Sequence, residues 1–233
     1  MTAGMVEPSS ASADDDAAAI GNLVRAARLD GARSQRVFRA LLAALARPGT
    51  IVDLDQPSSP VPAALVMALA LADVDTTHAV IGDTADGRWS RVIAAATSSR
   101  PVPAGDADLV TALVPPTPSQ VAHLRVGTPR APERGARLAL AVTALGVPPE
   151  RAGALARLTG PGVDGEVALG VDGIGPGLLA ALADRNAAFP AGVDAWLVSE
   201  AAVVGLPRST SIAVEPGPGA GTQPTNDLRG GRS

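Results

Sequence analysis

The sequence predicts an α/β domain, a mixed β-sheet with flanking helices. Three observations carry that expectation. Segments with apolar residues at helical spacing alternate with apolar runs of strand length. Toward the C-terminal end these runs follow one another closely enough to form hairpins. The chain has 233 residues, 46% of them hydrophobic, and a domain of this size buries roughly 70% of its unfolded surface in one core.

Residues 1–19 are Ala, Ser and Asp with hardly an apolar anchor, and read as a disordered N-terminal extension. A helix opens at Ser34, an N-cap residue, after which Val37, Phe38, Leu41, Leu42 and Leu45 recur along one face. Arg25, Arg33, Arg36, Arg39 and Arg47 lie around this helix, and Pro48-Gly49 ends it. A short strand at 50–54 follows. Pro62 suits the first turn of a helix running through Met67 and Leu71 to Asp73, and 78–81 reads as a strand. From 84 to 130 the prolines leave only short elements, a strand at 109–114 and a helix at 118–125 ending near Gly127. Alternation makes 137–142 a strand, and 176–186 is a helix with an early proline. The runs 193–199 and 201–206 form two strands of a hairpin, with a third strand at 211–215. The Gly/Pro-rich tail, 216–233, reads as disordered. A single domain therefore spans 20–215.

Composition bounds the chemistry. With no cysteine, a disulfide framework, a thiol nucleophile and thiolate metal sites are excluded. All 19 positive charges are arginine, and tyrosine is absent as well. Without lysine there is no Walker-type phosphate lysine and no amine for a Schiff base. A net charge of −4 with no basic run argues against nucleic acid or anionic membrane as a partner. The most apolar stretch, 61–72, falls well short of the roughly 20 residues of a membrane span. Asp14, Asp15 and Asp16 occupy the region where a signal peptide carries its apolar core. The expected location is cytoplasmic.

Several local motifs have both a functional and a structural reading. Gly160-Pro161-Gly162-Val163-Asp164-Gly165 matches the dinucleotide fingerprint by letter, but the β-like run 166–171 follows it, so a tight turn is the better account. Gly173-Ile174-Gly175-Pro176-Gly177 precedes a helix and reads as its entry loop. His78 and His123 lie on different elements without metal-ligand spacing and read as structural or surface residues, so no metal is expected. Asp73 and Asp75 read as turn or capping residues. Pro207-Arg208-Ser209-Thr210 follows a strand, and its arginine fork beside two hydroxyls fits a phosphate or carboxylate ligand. An intramolecular or intersubunit ion pair fits it equally well.

The same segments carry a family resemblance. Gln35-Arg36-Val37-Phe38-Arg39, Leu41-Leu42 and Arg47-Pro48-Gly49-Thr50-Ile51 resemble the opening motif of the H subunits of bacterial carbon–phosphorus lyase. Leu69-Ala70-Leu71-Ala72-Asp73 with Asp75-Thr76, Gly127 with Pro132-Glu133 and Gly135-Ala136, and Leu158-Thr159-Gly160-Pro161-Gly162 continue it in order. The most specific part is Arg185, Phe189-Pro190, Gly192-Val193-Asp194 and Gly205-Leu206-Pro207-Arg208-Ser209-Thr210. Arg137 departs from the family's threonine, Ala96-Thr97-Ser98-Ser99 follows its pattern only loosely, and Trp89 lies in an unfamiliar stretch.

The resemblance implies a fold similar to pyridoxal-phosphate-dependent transferases with the cofactor site lost, and hence no cofactor. It implies a homodimer that joins subunits G, I and J in a core complex. That complex acts where ATP and an alkylphosphonate become ribose 1-phosphonate 5-triphosphate and adenine. In the favoured reading the chain is an essential, non-catalytic subunit with no catalytic residue of its own. In the alternative it binds nucleotide or phosphonate. Arg39, Arg185 and Arg208 then neutralise phosphates, Asp194 orients a hydroxyl or water, and Ser209 and Thr210 add hydroxyls.

Overall fold

Apolar strands five residues long, buried on both faces, form the centre of the protein in a computed structural model that describes residues 10–55 and 60–215. Helices α1 (Ser10–Ala27) and α2 (Gly31–Ala46) lead to strand β1 (Val52–Asp53). A 3₁₀ turn then opens α3 (Val66–Leu71), followed by β2 (Thr77–Ile81), α4 (Arg88–Thr97), β3 (Arg100–Pro101) and β4 (Leu109–Ala112). The middle of the chain holds α5 (Pro118–Ala122), β5 (Val126–Thr128), β6 (Ala131–Gly135), β7 (Arg137–Ala141) and β8 (Ala144–Leu145). It closes with β9 (Ala154–Thr159), β10 (Val167–Asp172), α6 (Pro176–Arg185), β11 (Asp194–Val198), β12 (Ala202–Leu206) and β13 (Ser211–Glu215).

The main sheet has the order β1-β12-β11-β7-β4-β2-β3. Its strands from β3 to β11 are parallel, while β12 pairs antiparallel with β11 and β1 antiparallel with β12. The sheet is therefore mixed, as the interleaving of helices and late hairpins requires. A second, antiparallel sheet has the order β13-β9-β10-β8, and β5-β6 is a separate hairpin.

Alternation along the central strands divides the core. One face, with Leu109, Ala139, Trp196 and Val198, buries against Val37, Leu41 and Ala44 of α2 and Val66 and Met67 of α3. The other face, with Val110, Leu138, Leu140 and Leu197, packs against the second sheet and α6 through Ala156, Leu158, Leu179 and Leu182. Each face thus excludes water at about 25 cal/mol per Å² of apolar surface. Glycine permits the closest helix–sheet approach: a Cβ on Gly205 of β12 would lie 2.5 Å from the Ala44 carbonyl oxygen of α2.

Two expectations need correction. The supposed disordered extension 1–19 overlaps α1, which already begins at Ser10, while residues 1–9 lie outside the described part. Ile20, Leu23 and Val24 anchor that helix beside Val92 and Ile93 of α4, and Asp16 pairs with Arg91 at 2.8 Å. The N-cap of α2 is Asp30, whose carboxylate accepts from the Arg33 amide at 2.8 Å, rather than Ser34. The expected third strand, β13, is present, and it pairs with β9 in the second sheet rather than extending the main one. The tail 216–233 lies outside the described residues.

Candidate functional site

The chain crosses from one sheet to the other at the sequence Pro207-Arg208-Ser209-Thr210. This segment is a turn closed by the Thr210 amide donating to the Pro207 carbonyl at 2.8 Å. Arg208 anchors the corner. Its backbone amide and Nε donate to Asp194 Oδ1 at 2.9 and 3.1 Å, and Nη2 donates to Asp194 Oδ2 at 2.6 Å. Nη1 donates to the carbonyl of Pro132 on β6. The guanidinium thus ties the start of β11, the β5-β6 hairpin and the sheet crossing together. Both side chains are largely buried, at 11% and 20% exposure for Arg208 and Asp194, so the bidentate pair works in a medium of reduced dielectric.

Two glycines make room for this arginine. A Cβ on Gly135 would collide with the Gly192 carbonyl and stand 2.9 Å from Arg208 Nη1. A Cβ on Gly192 would stand 2.5 Å from Asn186 Oδ1 and 2.9 Å from Arg208 Cβ. Asn186 in turn accepts from the Val193 amide at 2.7 Å and donates to its carbonyl at 3.1 Å. Gly135, Gly192, Asp194 and Arg208, dispersed over the sequence, are one interlocked unit. Of the two readings of this arginine, the structure holds the intramolecular ion pair.

The hydroxyls beside it are less committed. Thr210 is 4% exposed and its Oγ1 has no hydrogen-bond partner among the described residues. It borders a cleft of about 460 Å³ with Ser209, Asn186, Pro161 and Phe189, and Phe189 is 62% exposed. The backbone of Gly160 passes close behind, since a Cβ there would lie 2.9 Å from the Ser209 carbonyl.

The other two arginines stand elsewhere. Arg185 ends α6 and donates through Nε to the Leu124 carbonyl at 2.9 Å, tying α6 to the end of α5. It borders a separate cleft between those helices, with Pro118 and Asp184. Arg39 is exposed on α2, and its guanidinium has no ion pair or hydrogen bond among the described residues. Arg39, Arg185 and Arg208 share none of these clefts.

The remaining motifs resolve into structure. The segment 160–165 is the hairpin turn between β9 and β10, with no helix after it, and Gly175 is the N-cap of α6. Asp73 accepts from the Asp75 amide at 3.0 Å within the turn after α3. His123 is exposed, with Nδ1 2.6 Å from the Ser119 carbonyl. Among the described residues no cluster of three or more His, Cys, Asp or Glu converges as a metal site would need.

Two polar networks were not legible as such. His78 of β2 is fully buried beside α4, with Nδ1 2.8 Å from Ser99 Oγ and Nε2 3.1 Å from the Ser90 carbonyl. Burial holds its pKa below the usual 6.5, against the opposing pull of the Ser90 carbonyl and the Asp83 charge. Asp108 accepts from the Thr77 amide and hydroxyl at 2.9 and 2.6 Å and pairs with Arg125 at 2.8 Å. Burial raises its carboxyl pKa, but Thr77 and Arg125 outweigh it and hold the group below the ordinary 3.8. Both networks join residues more than ten positions apart, so no local spacing announces them.

Comparison with known proteins bears on what this architecture is for. The family model of the bacterial phosphonate metabolism protein PhnH matches residues 29–213. A Stutzerimonas stutzeri protein named as a C-P lyase subunit, HtxG, is 35% identical over 186 residues, covering 77% of this chain and 86% of its own length.

Proposed function

The chain belongs to the PhnH family of bacterial phosphonate metabolism proteins, and from that premise we propose that it is a non-catalytic, essential subunit of a carbon–phosphorus lyase core complex. Its role is to support the step in which ATP and an alkylphosphonate give ribose 1-phosphonate 5-triphosphate and adenine. Subunits G, I and J are its partners, in the cytoplasm, and the chain meets them as a homodimer. The finer likeness of fold to pyridoxal-phosphate-dependent transferases belongs to this same reading.

The observation that carries it is where the motif residues point. Asp194, Arg208, Gly135 and Gly192 engage one another, and Arg185 engages a backbone carbonyl. These are ties that hold a scaffold rigid, and a rigid scaffold is what a docking subunit needs. Apolar side chains supply the complementary surface: Ile51, Val114 and Phe189 are between 47% and 62% exposed. The test is reconstitution. A complex assembled with this chain should convert ATP and methylphosphonate to adenine and the ribose phosphonate, and one assembled without it should not. Full turnover by the remaining subunits alone would refute the essential role.

One observation favours the alternative, a subunit that contributes to nucleotide or phosphonate binding. The buried, unpartnered Thr210 hydroxyl borders an open cleft with Ser209 and an exposed Phe189 ring, a set suited to a stacked base or a phosphate oxygen. ATP binding by the chain, lost in Ser209→Ala, would select this reading. Unchanged binding in that variant, or none in the parent, would dismiss it.

A further inference from the structure

We propose that the cleft between α2 and the N-terminal ends of the parallel strands binds a small organic acid, an oxyanion on a compact apolar body, with Arg137 as the anion contact. The cleft holds about 360 Å³ and its wall is made chiefly by Phe38, Leu42, Leu71, Leu109 and Trp196. That volume lies at the small end of the range for ligand pockets, fit for a phenyl or short alkyl group rather than a nucleotide. Trp196 is held in place by its indole N–H, which donates to the Leu41 carbonyl at 3.0 Å, so the apolar wall is preformed.

The charge arrangement gives the ligand its other half. Arg137 opens β7, is half-buried, and lines this cleft. No hydrogen bond or ion pair reaches its guanidinium among the described residues, while its backbone amide donates to the Asp108 carbonyl at 2.9 Å. Its in-register neighbours on the adjoining strands are Leu109 and Asp194. Leu109 offers no charge, and the charge of Asp194 is balanced by Arg208, whose guanidinium donates to both of its oxygens. The other polar wall residue, Thr76, is also committed. Its hydroxyl donates to the Asp73 carbonyl at 3.0 Å and accepts from the Asp73 amide at 2.9 Å. A single uncompensated cation on an otherwise apolar wall favours an anion with an apolar body. Carboxylates and phosphonates share that chemistry, because either can accept two N–H bonds from one guanidinium fork.

The test titrates the full chain with phenylphosphonate, benzoate and uncharged benzyl alcohol, read by calorimetry and by tryptophan fluorescence in a Trp89→Phe background that leaves Trp196 as the reporter. Saturable binding of at least one of the two acids, one per chain, is expected, with benzyl alcohol roughly tenfold weaker or more. Phenylphosphonate alone binding would assign the site to phosphonates, benzoate alone to carboxylates. Arg137→Gln, which breaks no internal bond, should weaken the acids by about tenfold or more and leave benzyl alcohol unchanged. Leu71→Trp, which fills the cleft, should weaken all three. Absence of saturable binding by both acids to the folded chain would overturn the proposal, as would acid affinity undiminished in Arg137→Gln.

Discussion

If Arg208 and Asp194 hold the two sheets together at their crossing, their energies are coupled, and a double-mutant cycle measures the coupling. Asp194→Ala removes the acceptor for two guanidinium bonds and one backbone amide, and leaves a cation that is 11% exposed facing Gly135 and the Pro132 carbonyl. Removing one member of a buried pair costs about 3–5 kcal/mol. Asp194 retains 20% exposure, so water reaches part of the site and a loss of about 2–4 kcal/mol is expected. Arg208→Ala strands the carboxylate and empties the space over Gly135, with a loss of similar size. The double variant leaves neither charge unpaired, so its loss should fall short of the sum by about 1.5–3 kcal/mol. Equilibrium unfolding in urea is the assay, followed by the fluorescence of Trp89 and Trp196, the latter buried two residues along β11 from Asp194. Losses that add to within about 0.5 kcal/mol would refute the anchor.

Three further outcomes follow from the same contacts. Gly205→Ala places a Cβ 2.5 Å from the Ala44 carbonyl oxygen and 2.6 Å from the Leu45 amide, both backbone atoms of α2; it should cost about 1–3 kcal/mol in thermal or urea unfolding, and a neutral result would contradict the close packing of α2 on β12. Thr210→Val keeps the shape of the side chain and removes an unpartnered buried hydroxyl, so stability should stay level or rise by about 1 kcal/mol; a clear loss in a melting experiment would mean that the hydroxyl has a partner. The pKa of His78 is below 6.5 in the folded chain because burial disfavours the imidazolium, so the unfolded chain takes up the proton first as the pH falls. The stabilisation is therefore complete above about pH 6.5 and is lost as the pH drops below it toward the folded pKa; His78→Asn should flatten the stability profile between about pH 7 and 5, and an unchanged slope would exclude His78 as its source.

How far the sequence disclosed this fold depends on how local each signal is. The helix around Val37, Phe38, Leu41 and Leu45 was legible because its period and its Pro48-Gly49 stop are local, and so was the hairpin of β11 and β12. Helix α4 was missed, since the side chain that caps it is not adjacent to it: the N-cap position is Gly87, which has no side chain to offer, while Asp83 accepts from the Trp89 and Ser90 amides at 3.0 and 2.9 Å. Strand β13 was legible as a strand, but its pairing with β9 was not, because that partner lies far back in the chain. The candidate residues Asp194, Arg208, Ser209 and Thr210 do come together, whereas Arg39 and Arg185 do not join them. An arginine fork looks the same in sequence whether it awaits a phosphate or already holds an aspartate. Arg137 passed as a mere departure from a family motif, since only the pairing of strands reveals that Asp194 beside it is already occupied.

The central claim, that this chain is a docking subunit, is tested most directly by mass. A tagged copy is expressed with and without subunits G, I and J, purified through the tag, and weighed by native mass spectrometry. Recovery of one stoichiometric assembly containing all four proteins is the predicted result. Recovery of this chain as a well-behaved homodimer, indifferent to the presence of the others, would contradict it.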